Sequence, residues 1–343
     1  MRQYTRIIIT PSSNTDIKYA SPGIVGGGST LYFFAQSGCI LQITRNALYT
    51  AASVEVVMTR TGDGVAYGAT YSFAFGDVVY ADVTALVRPL IQRPVPSVAT
   101  LAGTGSVTMD VNVYDAAGVL LDTVQRSCRI IDGIDWAIDG KMKRVLPDTV
   151  YVTGDTPYAP LTFPASDIGN GVGSVKFAGL TIDNSGLSVT AIGTGLYELE
   201  SDGAVVDSVD VREADCDDGY MTVTWWSPEL GGWKSYAFEV LGDGMSVSGL
   251  TDYTRDFSPH RASDGRMWYA LRAPLATFRD WLWLRDILAS DEVMTRAAIA
   301  TDNLNESDNW LHLIADGDPG EWKLNDSKDF EIRVYASEVA GLW

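Results

Sequence analysis

From Ser106 to Tyr114 the chain reads Ser-Val-Thr-Met-Asp-Val-Asn-Val-Tyr, with every second residue apolar. A period of two belongs to an extended strand, whose successive side chains point to opposite faces, so Val107, Met109, Val111 and Val113 share one face. A second apolar run begins at Val119 after Asp115-Ala116-Ala117-Gly118, and the pair predicts a hairpin. Comparable β-rich runs occur at Ser53 to Thr59, Val119 to Ile131 and Tyr220 to Trp226. Asp-Gly pairs at 63, 132, 139, 202, 218, 243, 264 and 316 supply frequent turn signals, because glycine takes the positive φ that tight hairpins need. The expected fold is mainly β: a multi-domain antiparallel β-sandwich protein with one prominent helix in its C-terminal domain.

Three parts are expected. Residues 1–148 form an N-terminal β-sandwich, of which the hairpin at 106–131 is the last element. Residues 149–212 form a linker and small β subdomain, since Pro147, Pro157, Pro160 and Pro164 cannot all sit inside one sheet. Short strands follow there at Ser174 to Phe177, Leu187 to Ala191 and Ala204 to Val211. Residues 213–343 form a Trp-rich β domain with a helix at about 275–290, entered through Pro274. Around that helix Leu275, Phe278, Trp281, Leu282, Trp283, Leu284, Ile287 and Leu288 leave only a narrow polar band near Arg279 and Asp286. A helix so apolar is buried on more than one side.

The formal charge of −19 repels phosphate backbones and anionic lipid heads, which argues against nucleic acid and membrane partners. The stretch from Asp291 to Trp343 repeats the bias, with 12 acidic and 4 basic residues. Cys39, Cys128 and Cys216 are too few and too scattered for a disulfide framework, as in proteins made in a reducing compartment. No stretch resembles a signal peptide or a membrane span. Synthesis in the cytoplasm is the expectation.

Nine of the ten tryptophans lie in the last 119 residues. Each can bury roughly 200 Å², or about 5 kcal/mol of transfer free energy, so this third holds either an unusually aromatic core or surface meant for a neighbour. The candidates for such an interface are Trp225, Trp226, Trp233, Phe278, Trp281, Trp283, Leu284 and Trp343. Trp225, Trp233 and Trp310 could alternatively serve as sugar platforms, which would make a glycan a possible partner. A weak calcium candidate is Asp316-Gly317-Asp318-Pro319-Gly320-Glu321, with Asp316, Asp318 and Glu321 as hard oxygen donors; a solvated acidic turn is the plainer reading. His260 and His312 read as surface or structural histidines. No nucleophile elbow or zinc-binding His pair is present, and Gly26-Gly27-Gly28-Ser29-Thr30 lacks the lysine of a phosphate loop. No catalytic residue and no cofactor is expected.

The hairpin Trp226-Ser227-Pro228-Glu229-Leu230-Gly231-Gly232-Trp233-Lys234-Ser235-Tyr236-Ala237-Phe238 precedes Trp283-Leu284-Arg285-Asp286-Ile287-Leu288-Ala289-Ser290-Asp291-Glu292-Val293. A closing Phe330-Glu331-Ile332-Arg333-Val334 follows, and Tyr80-Ala81-Asp82-Val83-Thr84-Ala85-Leu86-Val87 lies upstream. In this order the segments resemble uncharacterised virion proteins of tailed bacteriophages and prophages of gut Bacteroidetes. The chain departs in carrying Ser227-Pro228-Glu229 where an Asn precedes the LG turn. The resemblance implies a non-enzymatic tail, baseplate or connector-proximal subunit that packs against copies of itself and other virion proteins. A carbohydrate-binding or receptor-binding adhesin is the alternative expectation.

Overall fold

A computed structural model of the protein describes residues 15–19, 24–27, 30–45, 50–74, 76–93, 104–133, 146–154, 158–163, 175–177, 180–182, 187–201, 203–214, 219–253, 259–274, 277–296, 310–317 and 329–336. The described chain is mainly β, with short helical segments.

The first part holds strands β1 (Thr15–Tyr19), β2 (Ile24–Gly27), β3 (Thr30–Phe34), β4 (Ile40–Arg45), β5 (Ala51–Arg60), β6 (Ala66–Ser72) and β7 (Val78–Asp82). The short helix α1 (Thr84–Val87) follows, and then β8 (Thr104–Asp115) and β9 (Leu120–Ile131). A six-stranded sheet, β2-β3-β9-β8-β5-β6, faces a three-stranded one, β1-β4-β7. Val54, Val56, Met58, Val107, Met109, Val111 and Val113 from the larger sheet meet Leu41, Ile43, Val79 and Ala81 from the smaller in one core. The hairpin at 104–131 forms as its alternation predicts. Asp115 accepts the backbone N–H groups of Ala117 and Val119, and Gly118 turns the chain at φ +80°. One pairing departs from the antiparallel expectation, because β3 runs parallel to β9.

The middle segment contributes β10 (Thr149–Val152), β11 (Tyr158–Phe163), β12 (Val175–Phe177), β13 (Leu180–Ile182), β14 (Leu187–Ile192), β15 (Gly195–Ser201) and β16 (Ala204–Glu213). They make a five-stranded sheet, β10-β16-β15-β12-β13, and a two-stranded one, β11-β14. Here too one pair, β10 with β16, is parallel. Pro160 is tolerated inside β11, opposite Thr190, because a two-stranded sheet is all edge. Pro157 and Pro164 lie outside the described residues. Val150, Val152, Leu199, Val209 and Val211 share one hydrophobic cluster with Trp225, Phe238, Trp283 and Leu284, so this segment packs into the C-terminal core.

The last part is a closed barrel. Its strands are β17 (Tyr220–Ser227), β18 (Gly232–Tyr253), β19 (Pro259–Pro274), β20 (Val293–Arg296), β21 (Trp310–Asp316) and β22 (Asp329–Ala336), joined in the order β17-β18-β19-β22-β21-β20. Asp243-Gly244 and Asp264-Gly265 are not turns, as their sequence suggested; they lie inside the paired hairpin β18–β19. That hairpin outruns the wall. β17 pairs with β18 only as far as Glu239 and β22 meets β19 only from Trp268 onward, whereas the two long strands stay paired from Met245↔Met267 to Tyr253↔Pro259.

The expected helix at 275–290 is shorter and enters differently. Pro274 ends β19, and the α-helix α2 covers Phe278–Leu284 before tightening into a 3₁₀ segment, Arg285–Ala289. Its start is a capping box: Thr277 accepts the Asp280 N–H and the Asp280 carboxylate accepts the Thr277 N–H, which satisfies donors a helix start otherwise leaves open.

Candidate functional site

The site is built around the hairpin β17–β18 and the segment 277–292. Register pairs Trp225 with Lys234 and Trp226 with Trp233, and alternation sends the two pairs to opposite faces. Trp225 joins Val223, Tyr236 and Phe238 in the barrel core. Trp226 and Trp233 meet edge to face at 5.1 Å on the other side, where they form a separate cluster with Met294 and Trp310. At the turn, Gly231 donates its N–H to the Ser227 carbonyl at 2.8 Å, and Leu230 donates to Ser227 Oγ at 3.3 Å. Ser227 thus fixes the turn through both its carbonyl and its hydroxyl. Gly231 is required twice over. Its φ is +73°, and a Cβ would fall 1.1 Å from the Asp132 carbonyl oxygen.

Asp286 is buried in the barrel. Its Oδ1 accepts Trp225 Nε1–H at 2.6 Å, and its Oδ2 accepts both Ser227 Oγ–H and Lys234 Nζ–H at 2.6 Å. Lys234 also donates to the Trp283 carbonyl at 3.3 Å and sits 4.2 Å from the Trp283 ring centre. Burial pushes the Lys234 ammonium below its ordinary range, and the Asp286 charge opposes that push. Removing two ions from water costs several kcal/mol each, so the pair is tolerable only with this dense set of partners.

A second buried acid, Asp132, closes the contact between sandwich and barrel. It accepts from Gln36 at 2.9 Å, from Trp226 Nε1 at 2.9 Å and from Arg93 Nε at 3.0 Å. Arg93 lies over the Trp226 ring at 5.1 Å and donates onward to Asp291 at 2.8 Å and Glu292 at 3.0 Å. A cleft of about 720 Å³ opens beside it, lined by Gln36, Arg88, Arg93, Asp132, Asp291 and Glu292. A third network ties in the middle sheet. Arg279 contacts Asp148, Asp207 and the Leu146 carbonyl, while Asp280 Oδ1 accepts the Asp148 N–H at 2.9 Å. All three networks converge on residues 279–292.

These contacts correct the interface and sugar-platform expectations. Trp225, Trp226, Trp233, Trp283 and Leu284 are buried within the chain itself, as is Trp310. What covers Trp226 is the chain's own Arg93 and Asp132, so the aromatic surface is masked internally. None of Trp225, Trp233 and Trp310 offers a face to a sugar. Of the remaining candidates, Phe278 is 47% exposed and stacks on the half-buried Trp281 at 5.6 Å, beside Leu282 at 37%. Trp343 lies outside the described residues.

The polar band on the helix is the largest reversal: Asp286 and Asp280 face inward, while Phe278 and Leu282 face out. Asp316 is exposed at the end of β21, Asp318 and Glu321 lie outside the described residues, and no group of three metal-ligating side chains occurs among the described residues. His312 is exposed on β21. Cys39 and Cys128 are buried thiols, and Cys39 Sγ donates to the Phe34 carbonyl at 3.4 Å; Cys216 lies outside the described residues. Arg93, Asp132, Asp207 and Lys234 were not singled out as site residues by the sequence reading. The available signal was a lone lysine within an aromatic hairpin and an Asp-Gly pair at 132–133.

Fold and site together define a mainly β protein whose sandwich, middle sheets and six-stranded barrel are joined by buried polar networks. No family model, curated protein or solved structure matches the chain.

Proposed function

We propose that the protein is a non-enzymatic structural subunit of a phage or prophage virion, in the tail, in the baseplate or near the connector. It works by packing against copies of itself and other virion proteins after synthesis in the host cytoplasm. The observation that carries this reading is the β18–β19 ribbon. Nine register pairs, from Met245↔Met267 to Tyr253↔Pro259, are hydrogen-bonded to no third strand among the described residues. Two-stranded ribbons are marginal alone, and their open N–H and C=O groups are templates for a strand from another chain. The exposed Phe278 and Leu282 supply apolar area of the same use. The likeness of the 226–238, 283–293 and 330–334 segments to virion proteins points the same way.

The test is to replace residues 245–267 by a tight Asn-Gly turn, leaving the barrel pairs of Glu239 and Asp243 intact. Light scattering should find the full-length chain assembled, alone or with tail proteins, and the shortened chain monomeric with a cooperative thermal melt that shows its barrel still folded. A full-length protein that stays monomeric and binds no virion component removes the proposal. No observation favours the glycan-binding alternative, because its three platform indoles are buried.

A further inference from the structure

Lys234, Asp286, Ser227 and Trp225 place a primary amine, a carboxyl group, a hydroxyl and an indole N–H in mutual contact within the barrel. The Lys234 and Asp286 side chains are 3% and 7% exposed, and Trp225 and Ser227 are fully buried. A nucleophile and an acyl carbon enclosed in this way have no room for a substrate; each has only the other as a reaction partner. Effective concentrations for such held pairs are very large.

We propose that Lys234 and Asp286 condense after folding into an intramolecular amide, which ties β18 covalently to the 3₁₀ segment behind α2.

The step balances without any co-reactant. A proton passes from Nζ to Oδ2 along their 2.6 Å contact, which leaves a neutral amine and a carboxylic acid. Desolvation favours this transfer, since it holds the ammonium below its usual range, and a desolvated lysine is an activated nucleophile. The amine lone pair attacks Cγ, one bond beyond Oδ2, and the negative charge develops on Oδ1. That oxygen already accepts the Trp225 indole N–H at 2.6 Å, a fixed donor of the kind that stabilises tetrahedral intermediates. Ser227 Oγ, 2.6 Å from Oδ2, relays the second Nζ proton to it. The Nζ–Cγ bond forms, the Cγ–Oδ2 bond breaks, and Oδ2 leaves as water. Ammonium and carboxylate have become one amide N–H and one water.

This inference does not depend on the virion reading. It is tested on the full-length protein by intact mass under denaturing conditions, followed by trypsin mapping. The expected mass is one water below that of the sequence. Because trypsin cannot cut after an acylated lysine, residues 213–255 should appear as one peptide joined through Lys234 to the peptide 286–296. A mass equal to that of the sequence overturns the proposal, as does a lost water that maps to an Asp-Gly succinimide. Lys234→Met should show the full mass of its own sequence, and a water missing there also overturns it. Trp225→Phe keeps the ring but lacks the donor. Sampled at intervals after cell-free synthesis, it should form the bridge at least about ten-fold more slowly, and an unchanged rate overturns the role given to Trp225.

Discussion

Asp286 shows how one residue can reverse its apparent part. On a helix with so wide an apolar face, an aspartate in its narrow polar band reads as the edge that faces water, yet here Asp286 accepts from an indole, a hydroxyl and an amine that lie 61, 59 and 52 positions away. Periodicity reports how many polar residues a helix has. It does not report that a lysine from another element will meet one of them. Asp286→Ala should lower unfolding free energy by about 3–5 kcal/mol in denaturant titration, because it strands Lys234 in the core. Adding Lys234→Met removes that stranded amine and should recover part of the loss, the remainder being the covalent tie that neither variant can form. Two other buried groups set an alkaline limit. Burial pushes the thiols of Cys39 and Cys128 up to about 12 from an ordinary value near 9. Thiols raised in the folded state stabilise it fully below the unfolded value. Between pH 9 and 12 the unfolded chain releases protons that the native one keeps, so stability should fall by about 1.4 kcal/mol per pH unit for each thiol. Cys39→Ala should reduce that slope in urea melts at pH 9 to 11; an unaltered slope would show that its thiol does not titrate there.

Elements were legible where one local rule governed them. The hairpin at 104–131 needed only its alternation and an Asp-x-x-Gly turn, and both β17 and β22 lie where their β-rich runs place them. The helix was harder, because two start signals compete within four residues. Pro274 looks like an entry residue but still pairs with Asp329 in the barrel wall, and the true start is the Thr277–Asp280 box. Thr277→Ala should therefore cost about 1 kcal/mol of thermal stability, visible as a lowered melting temperature, whereas Pro274→Ala should cost less. Closure of the barrel was not legible at all. It depends on β20 returning to β17 through Val223↔Thr295, a pairing between residues far apart in sequence, and no pattern within either strand encodes it.

At the scale of the whole chain, the tryptophan excess located the core correctly and misassigned what covers it. Part of the covering comes from Arg93 and Asp132, far upstream of the Trp-rich third. Arg93 is the cation shared by Asp132, Asp291 and Glu292, so removing it leaves three carboxylates facing one another across the sandwich–barrel contact. Arg93→Ala should split thermal unfolding into two calorimetric transitions and lower the first by roughly 2–4 kcal/mol. Arg93→Lys should restore only part of that, since one ammonium cannot reproduce the forked geometry of the guanidinium. A single unaltered transition in the alanine variant would mean that the two parts are held by other contacts.

The strand order also sets a timetable. Among the described residues the last strand of the sandwich ends at Ile131, so the sandwich can fold while the ribosome is still making the rest. The barrel cannot: its wall is completed by β22 at Asp329–Ala336, which slots between β19 and β21. Until those residues emerge, the nascent chain carries the indoles of β17 and β18 in an unfinished shell. During that interval the finished sandwich, bearing Arg93 and Asp132, is already tethered beside them as a local shield.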